Sequence, residues 1–229
     1  MTVPHKAAVM AHLDSVAPVA QAIGAVNVIR RDGARLLGEN SDAEGFRRSL
    51  DESGVQLAGR RVALLGAGGA AHAVAWAAVN AGASGLWIVN RTVERAQSLA
   101  RRIAPAGSAC DVRVLAQAEE AVGADVWVNA TSLGMRRAGV DPSERPVPAR
   151  VWRTVGALHG DAVAVDLVYR PRSTPFLVDA EAAGLRTVDG TGMLLHQGAV
   201  AFESWTGRHA PVSAMRRALD EALAAETIR

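Results

Sequence analysis

The chain has 229 residues, 49% hydrophobic and 21% charged, with a formal net charge of +2. That length suits one large domain or two small ones around a packed core, and scattered arginines so near charge balance argue against a dedicated nucleic-acid surface. The single cysteine, Cys110, excludes an internal disulfide and a cysteine-based zinc cluster, and with no leader pattern or bilayer-length apolar run a metal-free, cytoplasmic protein with no membrane contact is expected.

The first element is expected at residues 4–13. "TVPHKAAVM" feeds an extended Thr-Val into a proline, which suits the first position of a helix. Lys6 then falls in the first turn, where a cation is disfavoured by the dipole. It is also the one lysine among 25 lysine and arginine residues. Lysine can release a proton near neutral pH and arginine cannot, so Lys6 is either a solvated end residue or a proton carrier. "AIGAVNVIRRDGARLLGENSDAEGF" follows, with two apolar stretches around Asp32-Gly33, the pattern of a hairpin. Residues 46–52 continue as a helix, and "ESGVQLAG" is a break.

From Arg60 the pattern changes. "RRVALLG" is a continuous apolar strand, and "AGGAAHAVAWAAVNAG" an alanine-rich helix closed by glycine. "SGLWIVN" is a strand, "TVERAQSLARRIA" a helix, and "DVRVL", "ADVWVNATSLG" and "DAVAVDLVY" further strands. Pro142, Pro146 and Pro148 mark a surface loop. "STPFLVDAEAAG" is a helix, "LRTVDG" a last strand, and helices over 192–206 and 212–225 close the chain. Strands alternating with helices in this way predict an α/β fold with a parallel sheet.

Two motifs on this framework carry chemistry. "LLGAGGAAHA" puts Gly66, Gly68 and Gly69 between a strand and a helix, with Ala71 at the third site of the glycine fingerprint. Gly66 permits the tight turn, and Gly68 lets backbone approach a pyrophosphate seated on the helix N-terminus. The next strand ends in "VNRTVER". An NAD site places Asp or Glu there to take the ribose hydroxyl. Here Asn90, Arg91, Thr92 and Arg95 replace it, and two guanidiniums can take a 2′-phosphate. The pattern predicts NADP.

The pieces together resemble the shikimate dehydrogenase family. Its members carry T-[VI]-P-x-K, G-A-x-N-T, N-T-D-x-x-G, G-A-G-G-A, N-R-T, N-A-T-x-x-G-M, D-x-x-Y and D-G-x-x-M-L-x-x-Q. This chain has "TVPHK", "GAVNV", "NSDAEG", "GAGGA", "NRT", "NATSLGM", "DLVY" and "DGTGMLLHQ" in the same order. The resemblance implies a catalytic Lys6 with Asp42 as its carboxylate partner. It implies substrate contacts from Thr2, Asn27, Tyr169 and Gln197. It assigns Gly66, Gly68, Gly69, Ala70, Asn90, Arg91, Thr92 and Arg95 to NADP, with Thr131 and Met193 at the nicotinamide end. Singly, each has an ordinary structural role, Asp42 as a helix cap or Gln197 on a solvated helix face; the joint order carries the assignment.

The implied architecture is a Rossmann-like NADP-binding domain over residues 54–190 and a truncated α/β substrate domain over 1–53, completed by helices at 191–229. Family members carry roughly sixty further residues ahead of T-[VI]-P-x-K, enough for two βα units. They include a Ser-x-Ser pair that grips the substrate carboxylate. The opening is therefore expected to lie inside a longer coding sequence, and the chain as given to bind NADP and turn over poorly. The implied reaction is reversible hydride transfer between NADPH and 3-dehydroshikimate, giving shikimate, in aromatic amino-acid biosynthesis. A quinate/shikimate or related hydroxy-acid dehydrogenase, or an inactive NADP-binding fragment, are the alternatives. A monomer or homodimer is expected.

Overall fold

The structure, a computed structural model, describes residues 5–104, 109–136, 141 and 143–227. Thr2 and Pro142 therefore lie outside the described residues. A turn at residues 5–7 leads into a 3-10 helix, Ala8–His12, rather than a full helix over 4–13. The reason is local. In an α-helix the Lys6 carbonyl would accept from the Met10 N–H. Here it accepts from Val26 N–H at 2.8 Å, and Met10 N–H turns to Ala7 at 3.2 Å. The opening segment is thus stitched to the approach of the hairpin.

Strand β1 (Ser15–Val16) and helix α1 (Pro18–Ile23) precede the hairpin of β2 (Val28–Asp32) and β3 (Arg35–Glu39). The hairpin register pairs Asp32 with Arg35 across Gly33, whose φ of 61° needs glycine. With β1 parallel to β3, the order of this first sheet is β1-β3-β2. Helix α2 (Asp42–Glu52) begins directly after it.

The second sheet has six parallel strands. They are β4 (Arg61–Leu65), β5 (Gly85–Val89), β6 (Asp111–Leu115), β7 (Val126–Asn129), β8 (Val163–Asp166) and β9 (Arg186–Val188). Helices α3 (Gly69–Asn80), α4 (Val93–Ile103), α5 (Ala149–Leu158) and α6 (Pro175–Ala182) connect or cover them. The order β6-β5-β4-β7-β8-β9 is that of a dinucleotide-binding doubly wound sheet. It reverses between β4 and β7, where such sheets open a crevice beyond their strand carboxyl ends. Of the two last helices, α7 (Thr191–Thr206) packs on α2 and reaches β2, and α8 (Val212–Thr227) packs on α7. Among the described residues no helix is long and apolar enough to cross a membrane.

One apolar cluster unites Ile23, Ala43, Phe46 and Leu50 with Val62, Leu64, Ala71 and Leu86. The early segment and the six-stranded sheet therefore share a core. On the sheet's other face Trp127, Trp152 and Phe176 stack in sequence, with ring centroids 5.2 and 5.1 Å apart in tilted and edge-on geometries. Helix α5 carries Trp152. Its lead-in is the proline-rich stretch, which is more than a surface loop: Val147 is fully buried and Pro148 caps the helix.

Candidate functional site

The six parallel strands of the large sheet end on one edge, and five of them hand their next residues to a cavity wall. After β4 the chain turns at Gly66, with φ of 105°. A side chain there would press on the Ala130 carbonyl at 3.1 Å. Gly68 caps α3 with no side-chain hydrogen bond, and a Cβ on it would meet nothing within 4 Å. The helix start thus faces open space with its first N–H groups uncapped, the arrangement that accepts a phosphate.

A cavity of about 320 Å³ lies beyond the ends of β4, β5 and β7. Gly66, Asn90, Arg91, Thr92, Arg95 and Thr131 all line it. Asn90 is fixed by donating to the Thr92 carbonyl at 2.7 Å. Arg91 and Arg95 are exposed and form no ion pair among the described residues. Two uncommitted guanidiniums flank this cavity, and among the described residues no carboxylate lines it.

A second cavity of about 460 Å³ lies on the other side of the glycine loop. Its wall includes Lys6, Asn27, Asp42, Ala70, Tyr169, Met193 and Gln197. Lys6 Nζ donates to Asp42 Oδ2 at 2.6 Å, and the two side chains are 16% and 8% exposed. Asp42 Oδ1 accepts from Asn27 Nδ2 at 2.8 Å. Asn27 also donates to Ser41 Oγ at 3.0 Å and accepts from Ser41 N–H at 2.8 Å. Asn40 accepts from the Asp42 N–H and donates to the Ala25 carbonyl, both at 2.9 Å. Asp42 is thus aimed by the turn before it, and one of its oxygens remains directed at the lysine. A Cβ on Gly69 would stand 3.8 Å from Lys6 Cδ, so the lysine stem lies along the glycine loop.

All named site residues except Thr2, which lies outside the described residues, fall on one of these two walls or on the loop between them. Their local ties differ. Gln197 donates to the Leu194 carbonyl of its own helix at 3.0 Å, leaving its carbonyl oxygen for another partner. Thr131 donates through its hydroxyl to Asn129 Oδ1 at 2.7 Å. Met193 is buried and Tyr169 is 36% exposed.

Two residues of the site region lay inside quoted motifs without an assigned role. Asn129, in "NATSLGM", and Asp166, in "DLVY", are fully buried. Asn129 Nδ2 donates to Asp166 Oδ1 at 2.9 Å. Burial pushes the Asp166 carboxyl up to about 6, against the opposing pull of its hydrogen bonds. Spacing alone could not show that pairing, because it spans 37 residues and two strands. Trp205 is likewise unforeseen. It lines the second cavity, with its indole N–H held by the Ile29 carbonyl of β2 at 3.1 Å.

A doubly wound parallel sheet with its glycine loop at the switch point, joined to a part-buried lysine–carboxylate pair, defines the class of dinucleotide-dependent dehydrogenases. The chain matches three family descriptions: "Shikimate dehydrogenase substrate binding domain" over residues 1–29, "Shikimate / quinate 5-dehydrogenase" over 49–137, and "Shikimate 5'-dehydrogenase C-terminal domain" over 190–219. The shikimate dehydrogenase (NADP+) of Moorella thermoacetica is 45% identical over 231 residues, covering 99% of this chain and 75% of that relative. The crystal structure of shikimate 5-dehydrogenase from Thermus thermophilus in complex with NADP(H) and shikimate superposes with a TM-score of 0.84. It is 42% identical, over 97% of this chain and 77% of that one. Quinate dehydrogenase from Corynebacterium glutamicum in complex with NAD gives 0.81 at 34% identity, over 94% and 74%. The chain belongs to the shikimate dehydrogenase family.

Proposed function

We propose that this chain catalyses reversible hydride transfer between NADP and shikimate, acting in the cytoplasm and reducing 3-dehydroshikimate in the biosynthesis of aromatic amino acids. The single observation that carries the reading is the part-buried Lys6–Asp42 pair, 2.6 Å apart on the cavity that adjoins the glycine loop.

The fit of the cofactor rests on three features. The cradle at Gly68 is open, the α3 start is uncapped, and Arg91 and Arg95 are uncommitted beside the cleft. Gly66, Gly68, Gly69 and Ala70 would hold the pyrophosphate, Asn90, Arg91, Thr92 and Arg95 the adenosine phosphate, and Thr131 and Met193 the nicotinamide end. When bound, the nicotinamide supplies or accepts the hydride at its C4. The chain's own task is the proton. As hydride reaches the substrate carbonyl carbon, the oxygen must gain a proton, and a positioned acid is required. Lys6 Nζ gives it, and takes it back in the reverse direction. Asp42 holds the ammonium in place and stabilises its charge, and Asn27 and Asn40 orient Asp42. Thr2, Tyr169, Gln197 and Asn27 hold the hydroxyls and carboxylate.

The test is a two-by-two screen of shikimate and quinate against NADP+ and NAD+, following reduced cofactor by absorbance. Turnover greatest with shikimate and NADP+ supports the reading. Preference for quinate or NAD+ assigns the chain to the quinate branch instead. NADP+ binding with no turnover in any arm makes it a binding fragment.

A further inference from the structure

Asp166 ends β8 with its carboxylate wholly inside the protein, far from the Lys6–Asp42 pair in the chain and assigned to no step above. Three donors converge on it. Asn129 Nδ2 and Val168 N–H reach Oδ1, both at 2.9 Å, and the Thr174 hydroxyl reaches Oδ2 at 2.6 Å. Two of these donors lead to different cavity walls, and the third ties together the loops behind them. Asn129 Oδ1 accepts both the N–H and the hydroxyl of Thr131, at 3.1 and 2.7 Å, and the Thr131 hydroxyl in turn takes the Leu133 N–H at 3.1 Å. That is the β7 loop, on the wall of the cofactor cavity. Val168 precedes Tyr169 on the wall of the substrate cavity, and its carbonyl receives the Gly190 N–H at 3.3 Å. Thr174 caps α6 and packs against Gly134 at the far end of the β7 loop, where a Cβ would lie 3.3 Å from Thr174 Cβ. Arg136 N–H then bonds the Arg170 carbonyl at 3.0 Å, tying the two loops a second time.

We propose that Asp166 is a positioning residue for the dehydrogenase reaction, setting the cofactor-facing Thr131 loop and the substrate-facing Tyr169 loop against each other through Asn129, Val168 and Thr174. The proposal rests on the shikimate dehydrogenase reading for its substrate arm and on dinucleotide binding alone for its cofactor arm. A buried acceptor with three donors admits few alternative geometries, because any loop shift leaves a donor or a carboxylate oxygen unsatisfied. The two loops therefore move together or not at all. Since misplacing a group by about 1 Å costs up to about 100-fold in rate, loosening this one carboxylate is felt in both cavities.

Thr174 gives the cleanest test, since it is fully buried and lines neither cavity. Thr174→Val keeps the shape and deprives Asp166 Oδ2 of its donor; Thr174→Ser restores a hydroxyl. In the full 229-residue chain, KM is measured for NADP+ and for shikimate, together with kcat, thermal midpoint, and NADP+ dissociation constant by calorimetry. Thr174→Val is expected to raise both KM values and the NADP+ dissociation constant and to lower kcat, each by about tenfold, inside the about 100-fold cost of a misplaced group. Thr174→Ser should return all of them toward wild type. A merely structural role gives the opposite split: a lower thermal midpoint and fewer active molecules, with KM and the dissociation constant unchanged. That result overturns the proposal. Asp166→Ala repeats the test where circular dichroism shows it folded, and Thr174→Val decides where it is not. If wild type binds NADP+ and leaves shikimate untouched, the functional reading fails, and the NADP+ dissociation constant of Thr174→Val still decides the cofactor arm.

Discussion

Lys6 and Asp42 stand 36 positions apart and meet at 2.6 Å because the Lys6 carbonyl is tied to Val26 while Asp42 opens a helix. The proposed chemistry gives a reason for lysine in a chain that otherwise uses arginine: both side chains can carry charge to Asp42, and of the two residue types only lysine readily exchanges a proton. Lys6→Arg should therefore bind NADP+ as wild type does and lose about 100- to 10,000-fold in kcat, the usual contribution of a general acid-base group. Steady-state kinetics beside NADP+ calorimetry check this. Retention of more than about a tenth of kcat would mean that the residue acts through charge alone. On the cofactor side, Arg91→Ala removes one of two uncommitted guanidiniums and should weaken NADP+ by about 1.5–3 kcal/mol while leaving NAD+ unchanged. Paired titrations with the two cofactors measure the difference. Lys6, Asn90 and the arginines stand out by residue type and neighbours alone. The grip of Asn27 on Asp42 and Ser41 does not, because it depends on contacts 14 and 15 positions away.

Helices α2 and α7 form the joint on which the Lys6-lined cavity rests, since one begins at Asp42 and the other carries Met193 and Gln197. They approach closely at Gly45. A Cβ there would lie 2.6 Å from the Gln197 backbone nitrogen and 2.8 Å from its Cα. Neither atom can move without the helix. Gly45→Ala should cost about 1–3 kcal/mol of stability, as overpacking does, and raise the KM for shikimate by displacing Gln197 from Asp42. Denaturant unfolding and steady-state kinetics test the two effects. An alanine variant as stable as wild type would mean that the helices separate freely. The large sheet was readable because its buried parallel strands are continuous apolar runs bounded by glycine and polar turns. Two helices were not. Helix α1 has six residues, too few to display a helical period, and β1 before it has two. Helix α5 does show buried Val151, Trp152 and Val155, but three prolines just upstream drew attention to the loop, although one of them is the residue that starts the helix. The opening helix was overread because its proline signal is local and the bond from Val26 that competes with it is not.

Across the whole molecule the two cavities rest on one shared core, and the stability of the fold responds to pH through a few carboxyls and a histidine. The Asp166 carboxyl, pushed up to about 6 by burial, holds its proton more tightly folded than unfolded. Its contribution is therefore fully favourable below the usual carboxylate range and is lost as pH rises from about 4 through about 6, on the order of 3 kcal/mol. The Glu44 carboxyl runs the other way. Hydrogen bonding to Arg47 lowers it to about 2, so its stabilisation is present above pH 4.5 and is lost as pH falls toward 2. Because Glu44 is partly exposed, its share is small. Half-buried His72, lowered by desolvation, also loses stabilisation on acidification. The Asp166 share is isolated by comparing wild type with Asp166→Asn, which keeps an acceptor for Asn129 and Val168 and cannot titrate. The difference in unfolding free energy between the two should change steadily from pH 4 to pH 6 and then level off; a constant difference would contradict the burial argument. The proposed reaction is a direct passage of hydride between the ligands of the two cavities. Its most direct measurement uses shikimate carrying deuterium on the carbinol carbon that is oxidised, incubated with NADP+ and the full chain, with the reduced cofactor read by mass spectrometry and proton NMR. Deuterium at C4 of the nicotinamide, one atom for each NADPH formed, is the predicted result; NADP+ bound with no NADPH formed, or NADPH formed without the label, would contradict it.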